Sequence, residues 1–513
     1  MRQLQFRSVV ATIAVLLSPA ASASGFYFGD NGSKALIQGG AFTAQADDLT
    51  ALQHNPAGLS QLRGFSFLLD GQLIFHNVSF LRQNPIDPTT GVRIASDRVK
   101  EVSNGAGAYP VPFIAGSYTF DVLDRHLTLA LGLYGPPASG RYSYPIPNYT
   151  KNAQGNYVEN PRNNAPQRYG FISDDFLIAY PTLSMSYDIF PWLSVGASAQ
   201  LVLSKLAFTR TMYSAFAQAS DIANEDPSLD TQASVDIPMN VTNFTGVFGI
   251  LAKPTNFLSV GFSVRPPIAI KVQGKMKLDL GEVATAAKTV VVGDDVELAF
   301  TMPTEMRLGV RLAPDWKVWH FERFGLNIDA VYNGWQSLNK FALTPKNVSL
   351  DVLGVNTALG PIDSPKRWNY TWSVRAGGSV GITEYFNVHA GFMYEMNAAP
   401  AEYESIDFLH FERVWLTGGV SAKIWNFELV GGIAGTPTVT KQIETSQVLS
   451  STPPDDVLGH RIGVGRYSSG GLSVTFGIRG TFGAVKETQT PDNVITPAPA
   501  PEPDLQKTGT NES

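Results

Sequence analysis

The sequence has no cysteine in its 513 residues, few charged residues, and no long apolar run beyond its N-terminus. Without cysteine, the chain can form neither a disulfide framework nor a lipoprotein attachment site. Only 16% of its residues are charged, whereas soluble domains carry roughly 25%. The absence of runs of about 20 apolar residues excludes membrane-spanning helices in the mature region. The net charge of −6 gives no support for nucleic acid as a partner.

Both ends of the sequence differ from its middle. Arg2 and Arg7 precede the largely apolar residues 9–17 and the small residues 21–23, which is typical of a secretory signal peptide covering residues 1–23. At the other end, residues 484–513 are rich in proline and polar residues, which predicts a disordered periplasmic tail. The chain is therefore predicted to be exported.

Between residues 64 and 483, short segments of alternating apolar and small or polar residues are joined by short and long connections in turn. The predicted strands are 64–81, 110–121, 126–135, 175–188, 192–209, 238–252, 256–272, 297–313, 322–343, 367–382, 385–397, 410–424, 426–434 and 470–483. An even strand number, with short turns on one side and long loops on the other, is typical of outer-membrane barrels. The predicted fold class is all-β, a 14-stranded antiparallel transmembrane β-barrel over residues 64–483.

The alternation also predicts which side chains face the interior of the barrel. In three of the predicted strands the apolar residues form one face, and Arg265, Arg375 and Arg479 fall on the other. A shift of one residue would place these arginines in lipid, at roughly 2–4 kcal/mol each near the midplane. The pattern therefore predicts the register of the strands as well as their number.

Residues 24–63 precede the first predicted strand and lack its alternation. This segment is rich in glycine, alanine and polar residues, and it is too long for a simple lead-in. Folding inside the barrel would give its polar groups a polar wall to pair with. We therefore predict that residues 24–63 form an N-terminal luminal hatch.

The chain resembles the FadL/TodX-like family of outer-membrane transporters for long-chain fatty acids and other hydrophobic compounds. The resemblance lies in segments that follow one another in order: Ser24-Gly25-Phe26, Asp47-Asp48, Asn55-Pro56-Ala57-Gly58 and residues 302–310, 313–316, 332–335 and 368–377. It implies a 14-stranded barrel whose hatch includes Ser24, Gly25, Phe26, Asn55, Pro56 and Ala57. It also implies capture of a hydrophobic ligand by extracellular loops, passage to an internal pocket, and lateral exit through a kinked third strand.

Two groups of residues are candidates for the path of the ligand. The third predicted strand ends in glycines and prolines, which permit a bulge and remove ladder donors, so a lateral gate is predicted there. An ordinary loop entrance is the alternative explanation of the same residues. Loops 210–237 and 273–296 carry apolar residues, which indicates either a capture surface or packing between loops. The gate candidates are Gly132, Gly135, Pro136 and Pro137, and the capture candidates are Met212, Tyr213, Phe216, Met276, Leu278 and Leu280.

The predicted function is passive uptake of long-chain fatty acids or other hydrophobic small molecules across the outer membrane of a Gram-negative cell. No catalytic motif is present, so the chain is predicted to be no enzyme and to use no cofactor or metal. A general diffusion porin is the alternative, although a porin needs no luminal segment before its first strand. The other predicted partners are outer-membrane lipid, lipopolysaccharide and the barrel assembly machinery, and the protein is predicted to be a monomer. Inward arginines either brace the interior or bind a carboxylate headgroup, and the sequence does not select one of them.

Overall fold

The computed structural model describes residues 27–83, 100–138, 140–148, 150–155, 165–213, 227–314, 321–409, 411–450 and 461–483. The predicted signal peptide and tail lie outside the described residues. The same is true of Ser24, Gly25, Phe26 and Phe216, and of the side chain of Tyr213.

The described residues are mainly β-strands with a few short helices. The strands are β1 Phe65–Arg82, β2 Val102–Ser103, β3 Tyr109–Val122, β4 Arg125–Tyr134, β5 Arg141–Ser143, β6 Ser173–Phe190, β7 Leu193–Tyr213, β8 Asp230–Thr255, β9 Leu258–Arg265, β10 Ile268–Asp279, β11 Thr289–Val292, β12 Asp295–Met302, β13 Glu305–Leu312, β14 Arg323–Asn333, β15 Lys340–Pro345, β16 Ser349–Val352, β17 Val355–Ala358, β18 Ile362–Pro365, β19 Thr371–Gly381, β20 Phe386–Glu395, β21 Arg413–Ile424, β22 Phe427–Ile443 and β23 Gly465–Phe482. The helices are α1 Ser33–Leu36, α2 Ala51–His54 and α3 Glu282–Ala286, with 3-10 turns at Pro56–Gln61, Pro227–Leu229, Trp335–Ser337 and Ala401–Tyr403. None of the helices in the described ranges has the length and apolar character needed to cross a membrane.

Fourteen of the strands pair side by side in a closed antiparallel ring. Their order is β1, β3, β4, β6, β7, β8, β9, β13, β14, β19, β20, β21, β22 and β23. β1 closes the ring by pairing with β23, from Phe65 opposite Phe482 to Arg82 opposite Gly465. Closure satisfies the backbone, because an unpaired polar group in hydrocarbon costs several kcal/mol. The predicted all-β fold and its number of strands are confirmed.

The two faces of the ring differ as the alternation predicts. Large apolar side chains project outward, and Leu131, Leu416 and Phe476 are all more than half exposed on the surface that faces lipid. On the inner face, Arg265 and Arg375 are buried in the interior. The register predicted from these arginines is therefore the one found.

Two neighbouring strands of the ring, β9 and β13, are each interrupted by a short break in the strand. On the extracellular side of these breaks the sheet continues through other strands. β9 gives way to β10 at Pro266-Pro267, and β12 to β13 at Pro303-Thr304. Beyond these breaks, β10 pairs with β8 and then with β12, followed by β15 and β18. The predictions of single strands over residues 256–272, 297–313 and 322–343 were wrong here, and in the first two a proline, which cannot donate to the ladder, marks the break.

Residues 27–62, which we call the luminal segment, lie inside the ring and touch each of its 14 strands. Its main chain lies directly against the wall, where the strands carry glycine. A β-carbon at Gly196, Gly261, Gly377 or Gly391 would come within 3 Å of main-chain atoms of this segment. Glycine at these positions is therefore required by the close approach of two backbones.

Replacing Gly377 by alanine is expected to push the luminal segment away from β19. The added β-carbon would overlap the main chain of Gln38, and overpacking of this kind costs roughly 1–3 kcal/mol. The expected result is a higher ion conductance in planar bilayers, with an intact barrel. Gly431→Val is the control, because no atom lies within 3.8 Å of a β-carbon there. Equal conductance of the two variants would contradict the prediction.

Candidate functional site

The wall of the barrel is interrupted where β4 ends. β4 pairs with β6 up to Tyr134, which lies opposite Tyr180. β6 regains a strand partner on this side only at Asp175, opposite Arg141 of β5. Among the described residues, no strand pairs with residues 176–179 on this side of β6, although the backbone N–H of Phe176 donates to the carbonyl of Gly140 at 2.7 Å.

The chain that leaves β4 turns inward and binds the luminal segment. The carbonyl of Gly135 accepts a hydrogen bond of 2.6 Å from the side-chain amide of Asn31. The carbonyl of Pro137 accepts one of 2.6 Å from the backbone N–H of Phe28. These contacts satisfy carbonyl groups that no longer belong to the sheet. The interruption is thus tied directly to the first described residues of the chain.

A cavity of ≈ 240 Å³ lies at the interruption, and we call it the wall cavity. From the lipid side it is lined by Ile114, Leu133 and Leu177, which are 49%, 46% and 39% exposed. From the interior it is lined by the buried rings of Phe300, Phe341 and Phe408. Because lipid-facing and interior side chains meet around one space, the wall cavity crosses the wall of the barrel.

A second cavity of ≈ 50 Å³ lies on the extracellular side of the first, and we call it the upper cavity. Its position follows from the register, since its lining residue Phe208 lies opposite Asp174, beyond the level of the wall cavity. Most of its lining is apolar, and its charged lining residues are Arg210 and Asp407. The upper cavity therefore combines apolar walls with a charged end.

Arg210 has no hydrogen-bond or ion-pair partner among the described residues, and its Nε is buried. The carboxylate of Asp407 is already engaged, because Lys366 Nζ lies 2.7 Å from its Oδ2. Lys366 is itself buried. These three groups carry a net positive charge next to apolar walls, an arrangement that favours binding of an anion.

Below the cavities, a buried ionic cluster fixes the luminal segment to the wall. The carboxylate of Asp30 accepts hydrogen bonds from Arg307 of β13, with Nη1 at 2.8 Å, and from Arg375 of β19. Burial opposes the ionisation of Asp30, but the charges of Arg307 and Arg375 outweigh burial and hold the pKa of this carboxyl well below its usual range. Asp30 is thus a charged anchor for the segment.

His54 lies against the same cluster in its neutral form. Its Nδ1 is 3.1 Å from Nη1 of Arg307, an atom that can only donate, so Nε2 carries the proton and donates to the carbonyl of Asn31 at 2.9 Å. Burial lowers the pKa of His54 to about 4. A proton on this ring would lose its hydration and face the charges of Arg307 and Arg375, which the carboxylate of Asp30, 4.0 Å from Nδ1, offsets only in part.

The structure brings some of the predicted hatch residues and gate residues together and separates others. Asn55 donates to the carbonyls of Thr43 and Ile250, and Asn55, Pro56 and Ala57 are buried inside the ring. Gly135 and Pro136 line the wall cavity. Gly132 instead faces the side chain of Leu52, and Pro137 contacts Phe28.

The capture candidates differ most from expectation. Met276 and Leu278 lie on β10 with buried side chains that join the main apolar core, so their expected exposure on a loop was wrong. Met212 and Tyr213 belong to β7, and Leu280 is only partly buried against the same core. Alternation of apolar residues continues in these strands beyond the membrane, which is why residues 210–213 and 273–279 are strand rather than loop.

Three residues of the candidate site were not singled out from the sequence: Asp30, Arg210 and Phe408. Arg210 and Asp30 are ordinary charged residues in the sequence, and only the fold shows which charges lack or have partners. Phe408 lies in a run of apolar and acidic residues, 403–411, that resembles an exposed loop. No local pattern in the sequence distinguishes these positions.

Comparisons with known proteins agree with this geometry. Residues 176–429 match the family model described as outer membrane protein transport protein (OMPP1/FadL/TodX). The fold is similar to that of a Pseudomonas aeruginosa FadL homologue, at 14% identity over 90% of this chain and 100% of that one, with a TM-score of 0.64. It is also similar to the Ralstonia pickettii toluene transporter TbuX, at 14% identity over 89% of this chain and 99% of that one, with a TM-score of 0.57. The P. putida toluene transporter TodX is similar at 15% identity over 90% of this chain and 99% of that one, also with a TM-score of 0.57. No curated protein matches the sequence.

Acidification from pH 6.5 to 4 is expected to loosen the luminal segment. The undocked state accepts a proton on His54 near its ordinary pKa of 6.5, whereas the docked state resists it until about pH 4. The contribution of His54 to docking is therefore fully present above pH 6.5, and roughly 3 kcal/mol of it is lost by pH 4. Asp30 does not contribute in this window, since its pKa is below its ordinary value of 3.8. The measurement is ion conductance in planar bilayers as a function of pH.

His54→Gln is the matched control for this titration. Glutamine can donate to the carbonyl of Asn31 but does not titrate, so conductance of this variant should stay flat between pH 6.5 and 4. A variant that still opens over the same window would show that another group is responsible.

Proposed function

We propose that the chain is a member of the outer membrane transport protein family OMPP1/FadL/TodX, whose model matches residues 176–429, and that it carries hydrophobic carboxylates, of the class of long-chain fatty acids, passively across the outer membrane. The match to this outer-membrane transport family supports a place in the outer membrane, among transport channels and not among enzymes. The proposal concerns the ligand, the route and the residues that act on it. The observation that carries it is the apolar wall cavity.

We propose lateral exit through the wall cavity. A fatty acid loses about 0.8 kcal/mol for each CH₂ moved from apolar surroundings into water, so a water-filled route to the periplasm is unfavourable. The wall cavity is lined by apolar side chains from its interior end to its lipid-facing end. A ligand that leaves through it reaches the bilayer without crossing water. In this proposal Gly135 and Pro136 keep the passage free of strand pairing.

The luminal segment acts as the hatch in this proposal. It contacts the ring on all sides and is anchored by the buried Asp30, which supports a closed route toward the periplasm. A general diffusion porin needs an open polar channel at this level, so the same observation weighs against that alternative. The hatch is consistent with the lateral route, because a ligand that cannot pass along the axis of the barrel can still leave through the wall.

Arg210 supports a carboxylate-bearing ligand over a plain hydrocarbon. Its Nε is buried without a hydrogen-bond partner among the described residues, and hydrogen bonds to charged groups contribute roughly 1.5–3 kcal/mol. Two of the similar structures are described as toluene transporters, and toluene has no charge to offer such a group. We therefore place the headgroup in the upper cavity beside Arg210, with the chain directed toward the wall cavity.

Exposed apolar side chains above the membrane support a role in capture. Val290 of β11 and Val355 of β17 are 57% and 67% exposed, and Leu353 between β16 and β17 is 77% exposed. Apolar groups on an extracellular surface are expected where hydrophobic ligands first bind. These residues replace the buried Met276 and Leu278 as candidates for the capture surface.

The first test is uptake of radiolabelled oleate and of toluene by cells that lack their own transporter. The protein is expected to raise oleate uptake, and Gly135→Val with Pro136→Val is expected to reduce it strongly, because strand-forming residues would extend β4 across the gap. Gly107→Val is the control, since nothing lies within 4 Å of a β-carbon there. Unchanged uptake by the double variant, with an intact barrel on heat-modifiable gels, would refute the lateral route.

Arg210→Met is expected to weaken oleate binding by about tenfold or more and to leave toluene uptake unchanged. Arg210→Lys should recover part of the affinity, because it keeps the charge but not the planar fork. The measurement is equilibrium binding of radiolabelled oleate to the purified protein. Arg466→Met serves as the control, since Arg466 lies on the exposed end of β23 and lines neither cavity. An equal loss in both variants would remove the headgroup role of Arg210.

A further inference from the structure

The upper cavity and the wall cavity are adjacent but separate, and the same three rings line both. These rings belong to Phe176 of β6, Phe341 of β15 and Phe408, which lies between β20 and β21. Phe408 stacks on Phe341 with ring centroids 4.9 Å apart and lies 5.8 Å from Phe176. Ring separations this short leave no open passage between the two cavities. A ligand that moves from one to the other must displace a ring.

Of the three rings, only that of Phe408 is carried by residues outside a strand. Phe176 and Phe341 belong to strands whose backbones are hydrogen bonded to neighbours, at Leu206 and Ser364 respectively. Phe408 follows Asp407 in the connection between β20 and β21. Movement of the Phe408 ring therefore requires no break in the sheet.

The position of Phe408 is held by charge. Its neighbour Asp407 accepts hydrogen bonds from Lys366 Nζ at 2.7 Å and from the hydroxyl of Ser405. The ammonium of Lys366 also lies 5.6 Å from the centre of the Phe408 ring, within the range of a cation–π contact. One buried cation thus holds both the carboxylate of Asp407 and the ring next to it.

We propose that Phe408 is the specificity-determining residue of the transport path, and that the Lys366–Asp407 pair holds it closed. The inference rests on the proposed function, since it assumes that ligand passes from the upper cavity to the wall cavity. Asp407 lines the upper cavity together with Arg210. A carboxylate that enters this cavity competes with Asp407 for the nearby cations, which loosens the hold on Phe408. The charge of the ligand thereby favours passage of the ligand past Phe408. The space freed by the ring of Phe408 limits how wide a ligand can pass.

The test compares two carboxylates of different width, oleate and 1-pyrenebutyrate, in the uptake assay. In the full-length protein, oleate should pass more readily than the rigid, wide pyrene. Phe408→Ala should raise the ratio of pyrenebutyrate to oleate uptake about tenfold, equivalent to ~1.4 kcal/mol of barrier removed. Asp407→Asn should change the ratio in the same direction and by less, because the ring stays in place while its ionic hold weakens.

Phe411→Ala is the matched control, since it removes a buried ring from the same connection, and Phe411 lines neither cavity. Phe408→Leu provides a conservative variant should Phe408→Ala fail to insert, and it should shift the ratio in the same direction. If the ratio of pyrenebutyrate to oleate uptake is unchanged in both Phe408 variants, or is raised equally by Phe411→Ala, the role of Phe408 is overturned. The proposed function still stands in that case, provided that the protein takes up oleate. Absence of oleate uptake in the unaltered protein overturns the proposed function and this inference with it.

Discussion

The structure depends on the cost of an unpaired backbone group in hydrocarbon. Each such group costs several kcal/mol, so strands in a bilayer must pair on both sides. The ring meets this requirement by joining β1 to β23 along their full length. The ring does not meet the requirement beside residues 176–179, where β4 has left the sheet. An opening in the wall is therefore unfavourable in hydrocarbon, and the groups around it show how the cost is reduced.

Two devices reduce the cost of the opening. Pro136 and Pro137 have no backbone N–H, so two donors that would be left unpaired are absent. The carbonyls of Gly135 and Pro137 accept hydrogen bonds from Asn31 and Phe28 of the luminal segment. Undocking of the luminal segment would leave both carbonyls without these partners. Because these hydrogen bonds join the two, displacement of the first residues of that segment is coupled to rearrangement of the wall.

The sequence predicts the ring well, because lipid outside and polar groups inside impose an alternation on every strand. Arg265 and Arg375 fix the register for the same reason. The alternation does not show where the membrane ends, so Met276 and Leu278 were assigned to a loop although β10 continues past them. The partners of Phe408 come from strands far apart in the chain. Its role at the two cavities therefore follows only from the three-dimensional arrangement.

The distribution of charge along the proposed path implies an order of movement. The upper cavity offers Arg210 to a carboxylate, whereas none of the described residues that line the wall cavity is charged. A charged headgroup would lose far more on entering the wall cavity than an alkyl chain would, because an unpaired charge in apolar surroundings is strongly disfavoured. The chain must therefore advance first, past Phe408 and toward lipid, while the headgroup stays with Arg210. A short ring such as toluene cannot occupy both sites at once, so for it the charge at Arg210 gives no advantage.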